Sequence, residues 1–301
     1  MTASKPHINF IGVGAARSGT TWLAKCLDEH PSICVSRPKE VNFFNETYPF
    51  YRQEDSTNYP RGLSWYEKHF NHCSKDSLKG EFSVIYLADE QAPRRIKETY
   101  PECKIIICLR NPIDKVLSHI ALKKSHTFQI IGNSPDEIIS NHPELIKNGL
   151  YSEHIKRYID VFGKSSVHII LFDDIKNHPD LVFKKVVDFI GAPVVDTVPS
   201  LNKTINASKT KQGIIRSILM RVLRFMKKFP FTQTLLHWLK HTNIFYKLEH
   251  AVEYIDIQKK QKSSLVISTD TRAKWYNQYF ADDVEQIEAL LDIDLDTWKQ
   301  H

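Results

Sequence analysis

A chain of 301 residues with 42% hydrophobic and 11% aromatic content can bury a sizeable core, which excludes disorder as a description of the whole. Ten Gly and 14 Pro exclude collagen-like and Gly-linker architectures, no fixed-period repeat marks a solenoid or propeller, and no apolar run approaches the roughly 20 residues that span a bilayer. The net charge of +6 is uneven: from Thr197 to Leu248 there is no Asp or Glu but ten Lys or Arg, while the rest of the chain is net acidic. That block points to an anionic partner, whether a phosphorylated ligand, a polyanion, a lipid surface or nucleic acid.

The first residues reach only a short apolar stretch before Arg17 and do not read as a secretory signal, so a cytoplasmic location is expected. Cys26, Cys34, Cys73, Cys103 and Cys108 are odd in number and lack C-x-x-C spacing. They read as buried free thiols in a reducing compartment, not as a disulfide framework or a zinc site.

In chain order, INFIGVG at 8–14 is a β-branched strand, followed by a Gly/Ser/Thr turn and a helical pattern through TWLAKCLDEH that stops before Pro31. KGEFSVIYL (79–87) and CKIIICL (103–109) read as strands with the helical ADEQAPRRIKETY between them. GLYSEHIKRYIDVFG is the next helix, VHIILF (167–172) a further strand, and LVFKKVVDFIG a helix ending at Gly191. Apolar strands separated by helices predict an α/β fold with a P-loop-like central parallel sheet flanked by helices. Beyond Pro199 only helical patterns follow. IIRSILMRVLRFMKKF carries Arg216, Arg221, Arg224, Lys227 and Lys228 between its apolar residues, TQTLLHWLKHTNIFYKLEHAVEYI follows, and RAKWYNQYFADDVEQIEALL closes the chain. With no Gly/Ser linker, residues 1–301 read as one domain. It has an α/β core at about 8–200, a basic helical insertion at about 203–262 and a C-terminal helix at about 270–298.

GAARSGTT, Gly14 to Thr21, lies between a strand and a helix and matches G-x-x-x-x-G followed by Thr20-Thr21, where a nucleotide triphosphatase would have Lys-[Ser/Thr]. Glycines allow a tight turn, and the free N–H groups and dipole of the following helix favour an anion. Arg17 can fork two hydrogen bonds to a tetrahedral oxyanion, whereas the missing lysine argues against ordinary ATP or GTP hydrolysis. The plainer reading is a Gly-rich turn with a capping Thr. A second anion site is suggested by CLRNPIDKVLSH, in which Arg110 leaves a strand and Pro112 opens a helix carrying Ser118. Alone, such an arginine is usually solvated or salt-bridged; paired with the first loop, it sits where parallel sheets bind ligands.

RSGTTWL, RPKEVNFF, GEFSVIYL, LRNPIDKVLSHI, GLYSEHIKRYIDVFG and VHIILFDDIKNHP, in this order, resemble the sulfotransferase superfamily. The motifs are most similar to those of the heparan-sulfate-type and bacterial carbohydrate enzymes. The resemblance covers about residues 8–200 and resumes at DTRAKWYNQYFADDVEQIEALLDIDLDTW. It implies a sulfuryl donor, 3′-phosphoadenosine 5′-phosphosulfate, leaving adenosine 3′,5′-bisphosphate and using no metal. By the same resemblance the 5′-phosphosulfate loop is Arg17, Ser18, Gly19, Thr20, Thr21 and Trp22, with Arg17 also serving the chemistry. The 3′-phosphate site is Arg110 and Ser118, Glu40 is the general base, and Lys209 is a candidate in a loop closing over the donor. Phe82 stands where related glycan enzymes often carry Lys. Trp22 also reads as core, and Glu40 alone could simply complement a helix dipole.

Three function classes follow. The first is a sulfotransferase acting on a hydroxyl or amine of a glycan, glycolipid or other acceptor, with His30, His119 and His126 as alternative bases. The second is another P-loop enzyme such as a small-molecule kinase. The third is a non-catalytic binder of polyanions or of the inner membrane face through the basic 203–247 segment, which could equally be a solvated helix. No nucleic-acid partner is expected.

Overall fold

The computed structural model describes residues 7–46, 57–125, 130–203 and 267–300. Residues 1–119, 131–205 and 266–301 form one compact unit; 120–130 and 206–265 form a second unit that lies almost wholly outside the described residues. No helix among the described residues is long and apolar enough to cross a membrane.

The sheet has five strands: β1 (Phe10–Gly14), β2 (Ile33–Val35), β3 (Leu78–Phe82), β4 (Lys104–Leu109) and β5 (Val167–Leu171). They are ordered β2-β3-β1-β4-β5, and every neighbouring pair is parallel. The run Lys104–Leu109 explains the arrangement: Ile105 to Leu109 are fully buried, as strands covered on both faces must be. The expected alternation of strands and helices is therefore the observed one. Two details differ. The strand expected over 79–87 stops at Phe82, because Ser83 to Tyr86 turn back with Tyr86 N bonded to Ser83 O at 3.2 Å. The three-residue edge strand β2 has too short a pattern to show in the sequence.

Helix α1 (Thr20–Asp28) follows β1 directly, and α9 (Pro179–Ile190) packs beside it. Trp22, Leu23 and Leu27 of α1 and Phe183, Val186 and Val187 of α9 cover the sheet face made by Phe10, Phe82, Ile106, Cys108 and Ile170. The end of α9 at Gly191 falls where the sequence places it, with Gly191 at φ 80°. Helices α3 (Ala92–Thr99) and α7 (Ser152–Phe162) accompany the crossovers. The C-terminal pattern over 272–291 is realised as α10 (Thr269–Trp275), a π-helical turn at Tyr276–Phe280 and α11 (Ala281–Leu291), followed by the short α12 (Asp296–Lys299).

The expectation of five free thiols is corrected here. Cys34 on β2 and Cys73, in the turn before β3, are joined in a disulfide with their Cα atoms 5.7 Å apart; Cys26, Cys103 and Cys108 are free and buried. The two sulfurs are 39 residues apart in sequence, and only the hydrogen-bonded return of the chain alongside β2 brings them together. No spacing rule anticipates such a pair.

Candidate active site

The phosphate loop is built by two glycines. Gly14 has φ 147°, and Gly19 has φ 90° and caps α1. A Cβ on Gly19 would lie 2.7 Å from Ile175 Cδ1, so both backbone conformation and close approach call for glycine. No side chain caps the α1 N-terminus; the first bond back into the helix is Leu23 N to Gly19 O at 3.1 Å. The N–H groups of Thr20, Thr21 and Trp22 thus supply the anion-directed donors of a helix start.

Arg17 sits in the loop with φ 67° and is half-buried. Its Nε–H donates to Ser118 Oγ at 2.9 Å. Ser118 belongs to α4 (Pro112–Ser125), which opens at Pro112 as its sequence predicts. Asn111 caps that helix, its Oδ1 accepting from Ile113 N at 3.0 Å and Asp114 N at 3.3 Å. Arg110 precedes the cap. It donates through Nη1 to Arg17 O at 3.4 Å, lies over the Phe172 ring at 4.7 Å and reaches Asp114 at 3.9 Å. Burial lowers its pKa, with Asp114 opposing, and its buried Nε has no hydrogen-bond partner among the described residues. Sequence reasoning placed Arg17 and Ser118 at opposite ends of one nucleotide; the structure makes them neighbours.

Ser18 and Thr20 are buried, with Ser18 facing the Tyr151 hydroxyl, which donates to Arg110 O at 3.0 Å. Trp22 is core: it is buried and its indole N–H donates to Leu201 O at 3.0 Å. Glu40 lies in the loop after β2, its N–H bonded to Phe82 O at 2.9 Å, so it sits at the carboxyl end of β3 beside the phosphate loop's own strand. Its carboxylate pairs with Lys39 at 3.0 Å and remains 39% exposed, so it is reachable from solvent. Phe82, in the position read as often lysine, is fully buried with its ring against Phe10. His30 is structural: its Nδ1 accepts from Ser32 N at 3.1 Å, which leaves Nε2–H to donate to Pro193 O at 2.8 Å. His119 is buried. His126, Lys209 and the basic run from Arg216 to Lys247 lie outside the described residues.

Three residues near these groups have no clear sequence signal. Arg272 of α10 pairs with Asp114 and so neutralises the carboxylate closest to Arg110. Asp283 of α11 accepts from Tyr151 N at 2.8 Å and Ser152 N at 3.0 Å, satisfying the start of α7 from 131 residues away. Glu81 is fully buried between Tyr66, Ser83 and Tyr86 and accepts a hydrogen bond from each. Only Glu81 had a possible signal, a carboxylate inside a strand of a parallel sheet.

The geometry thus gathers an uncapped helix start, Arg17, Arg110 and the Ser118 hydroxyl at the carboxyl end of the sheet, and leaves the Glu40 carboxylate accessible to solvent. Residues 8–247 match the family described as "Sulfotransferase domain". Over 202 residues the chain is 29% identical to human bifunctional heparan sulfate N-deacetylase/N-sulfotransferase 3, covering 60% of this chain and 22% of that protein. Over 191 residues it is 22% identical to mouse heparan sulfate glucosamine 3-O-sulfotransferase 5, covering 60% and 52%. The chain therefore spans about a fifth of the length of the first of these relatives. The crystal structure of a sulfotransferase from Alicyclobacillus acidocaldarius superposes with a TM-score of 0.67 at 24% identity, over 98% of this chain and 99% of that one, and so shares the fold. A match across the phosphate loop, α4 and the whole five-stranded sheet places this chain in the sulfotransferase domain family.

Proposed function

We propose that the protein transfers a sulfuryl group from 3′-phosphoadenosine 5′-phosphosulfate to a hydroxyl or amine of a carbohydrate or glycolipid acceptor, with Glu40 as general base. The observation that carries this reading is the contact between Arg17 and Ser118, which joins two anion-binding elements into one surface at the carboxyl edge of the sheet. A nucleotide bearing anionic groups at both ends of its ribose needs two such subsites; a simple triphosphate needs one. The uncapped α1 start and the unpartnered Arg110 Nε fit anionic oxygens.

Residues Arg17 to Trp22 would hold the 5′ end through the Arg17 guanidinium and the α1 backbone, and Arg110 with Ser118 would hold the 3′-phosphate. When bound, the donor supplies an activated sulfuryl group. Fixed cations and helix N–H groups favour the extra negative charge of group transfer, because they are oriented before reaction. Glu40 takes the proton from the acceptor, and its exposure gives a bulky acceptor access to it. The names of the relatives, which act on heparan sulfate, support a glycan acceptor.

Calorimetry and transfer assays test the reading together. Micromolar binding of adenosine 3′,5′-bisphosphate without Mg²⁺, and incorporation of radiolabelled sulfate into a glycan panel, are expected. Preference for Mg-ATP, or no nucleotide binding, overturns it.

A further inference from the structure

Glu40 has φ 67° and Asn42 has φ 51°, two side-chain-bearing residues in the left-handed region within three positions. Such backbone persists only where its surroundings over-determine it. What surrounds it is a set of buried hydroxyls. Asn42 N donates to Ser83 Oγ at 3.0 Å, and Phe43 N and Phe44 N both donate to the Tyr86 hydroxyl, at 2.6 and 3.1 Å.

A phenol has two lone pairs and one proton. With both lone pairs of Tyr86 facing amides, its proton has one way to go, and it goes to Glu81 Oε1 at 3.1 Å. Tyr66 donates to the same oxygen at 3.0 Å and Ser83 to Oε2 at 2.9 Å, while the Val41 amide adds a further donor. Three hydroxyls and an amide converge on the carboxyl group, offsetting in part the burial that pushes its pKa up to about 7. The carboxylate accepts from both Ser83 and Tyr86 and so fixes which way these hydroxyls point. Reversing the Tyr86 hydroxyl would turn its proton towards a backbone N–H. Glu81 itself is fully buried and cannot meet an acceptor molecule.

We propose that Glu81 is a positioning residue: through Ser83 and Tyr86 its carboxylate locks the backbone of Asn42 to Phe44 and with it the left-handed turn that presents Glu40. The catalytic half of this proposal rests on the reading of Glu40 as the base; the structural half does not.

The test uses the full chain with Glu81→Gln, Tyr86→Phe and the double variant. A glutamine places an N–H₂ where one hydroxyl needs an acceptor, so one arm of the network must turn round. Hydrogen exchange followed by mass spectrometry should show the peptide over 42–44 exchanging at least about fivefold faster in Glu81→Gln. With N-desulfated heparin and radiolabelled donor, kcat should fall at least about fivefold, while KM and the affinity for adenosine 3′,5′-bisphosphate stay within about twofold. The double variant should lose less than the sum of its members, since Tyr86 and Glu81 share one arm of the network while the Ser83 arm depends on Glu81 alone.

Unchanged exchange at 42–44 overturns the proposal, and so do additive losses or an equal fall in bisphosphate affinity, which mark a general packing role. If the wild-type chain binds and transfers nothing, the functional reading fails, while exchange and its coupling still decide the lock. Should Glu81→Gln not fold, Ser83→Ala frees only the Asn42 amide, and protection lost there with Phe43 and Phe44 retained is the expected result.

Discussion

Arg17 Nε donates to Ser118 Oγ at 2.9 Å although 101 residues separate them. Ser118 thereby spends a lone pair on the phosphate loop and keeps its proton as a donor. The two subsites of the proposed donor site share a wall, and a change on one side is felt on the other.

Arg17→Ala and Arg110→Ala are each expected to weaken binding of adenosine 3′,5′-bisphosphate by about 1.5 to 3 kcal/mol, the range for hydrogen bonds to charged groups. Because Arg17 and Ser118 touch, the Arg17→Ala/Ser118→Ala pair should cost less than the sum of its members. Calorimetry on the wild type, the three single variants and the pair checks both statements, and unchanged affinity in both arginine variants removes the donor-site assignment.

Glu40→Gln keeps the shape of the side chain but removes its ability to take a proton. Turnover should fall by about 10² or more, with bisphosphate affinity held. Turnover near wild type in a sulfate-transfer assay would move the base role elsewhere.

The disulfide closes a segment of 39 residues that contains the Glu40 turn. On the chain-entropy argument, Cys34→Ser with Cys73→Ser should cost roughly 3 to 4 kcal/mol of stability. Denaturant titration of oxidised wild type, reduced wild type and the double variant checks this: the last two should coincide, with a lower midpoint than the first.

His154 gives a pH signature. Burial, with Arg157 and Lys115 adding to it, pushes its pKa down to about 4, from an ordinary 6.5. Between those values the unfolded chain binds a proton that the fold refuses. The His154 contribution is therefore whole above pH 6.5 and is lost as pH falls towards 4. Thermal melts across that window should fall more steeply for wild type than for His154→Gln; parallel slopes would show that His154 titrates normally.

Much of this was legible in the residues themselves. Continuous apolar runs announced parallel strands, Gly14 and Gly19 marked the loop, and Pro112 marked the start of α4, because each signal is local and obeys a fixed stereochemical rule. What stayed hidden depends on contacts between distant segments. Arg272 meets Asp114 across 158 residues, Asp283 caps α7 across 131, and Cys34 finds Cys73 across an edge strand of three residues. Glu81 was visible as a carboxylate inside a strand, but its meaning lies in hydroxyls that the turn after β3 delivers.

The amide of Asn111 has two ends, and the one not engaged in capping α4 donates to Trp298 O at 3.2 Å. Trp298 is buried and its ring lies 6.4 Å from that of Tyr151, whose hydroxyl holds the Arg110 carbonyl. Residues at the far end of the sequence thus act as a strut under Arg110, the residue proposed to hold the 3′-phosphate. Protein engineering follows from this: deleting the chain from Leu295 onward strips Arg110 of its support without touching a ligand contact. A shortened enzyme would be lost through poorer nucleotide retention before it showed any defect at Glu40, the proposed base.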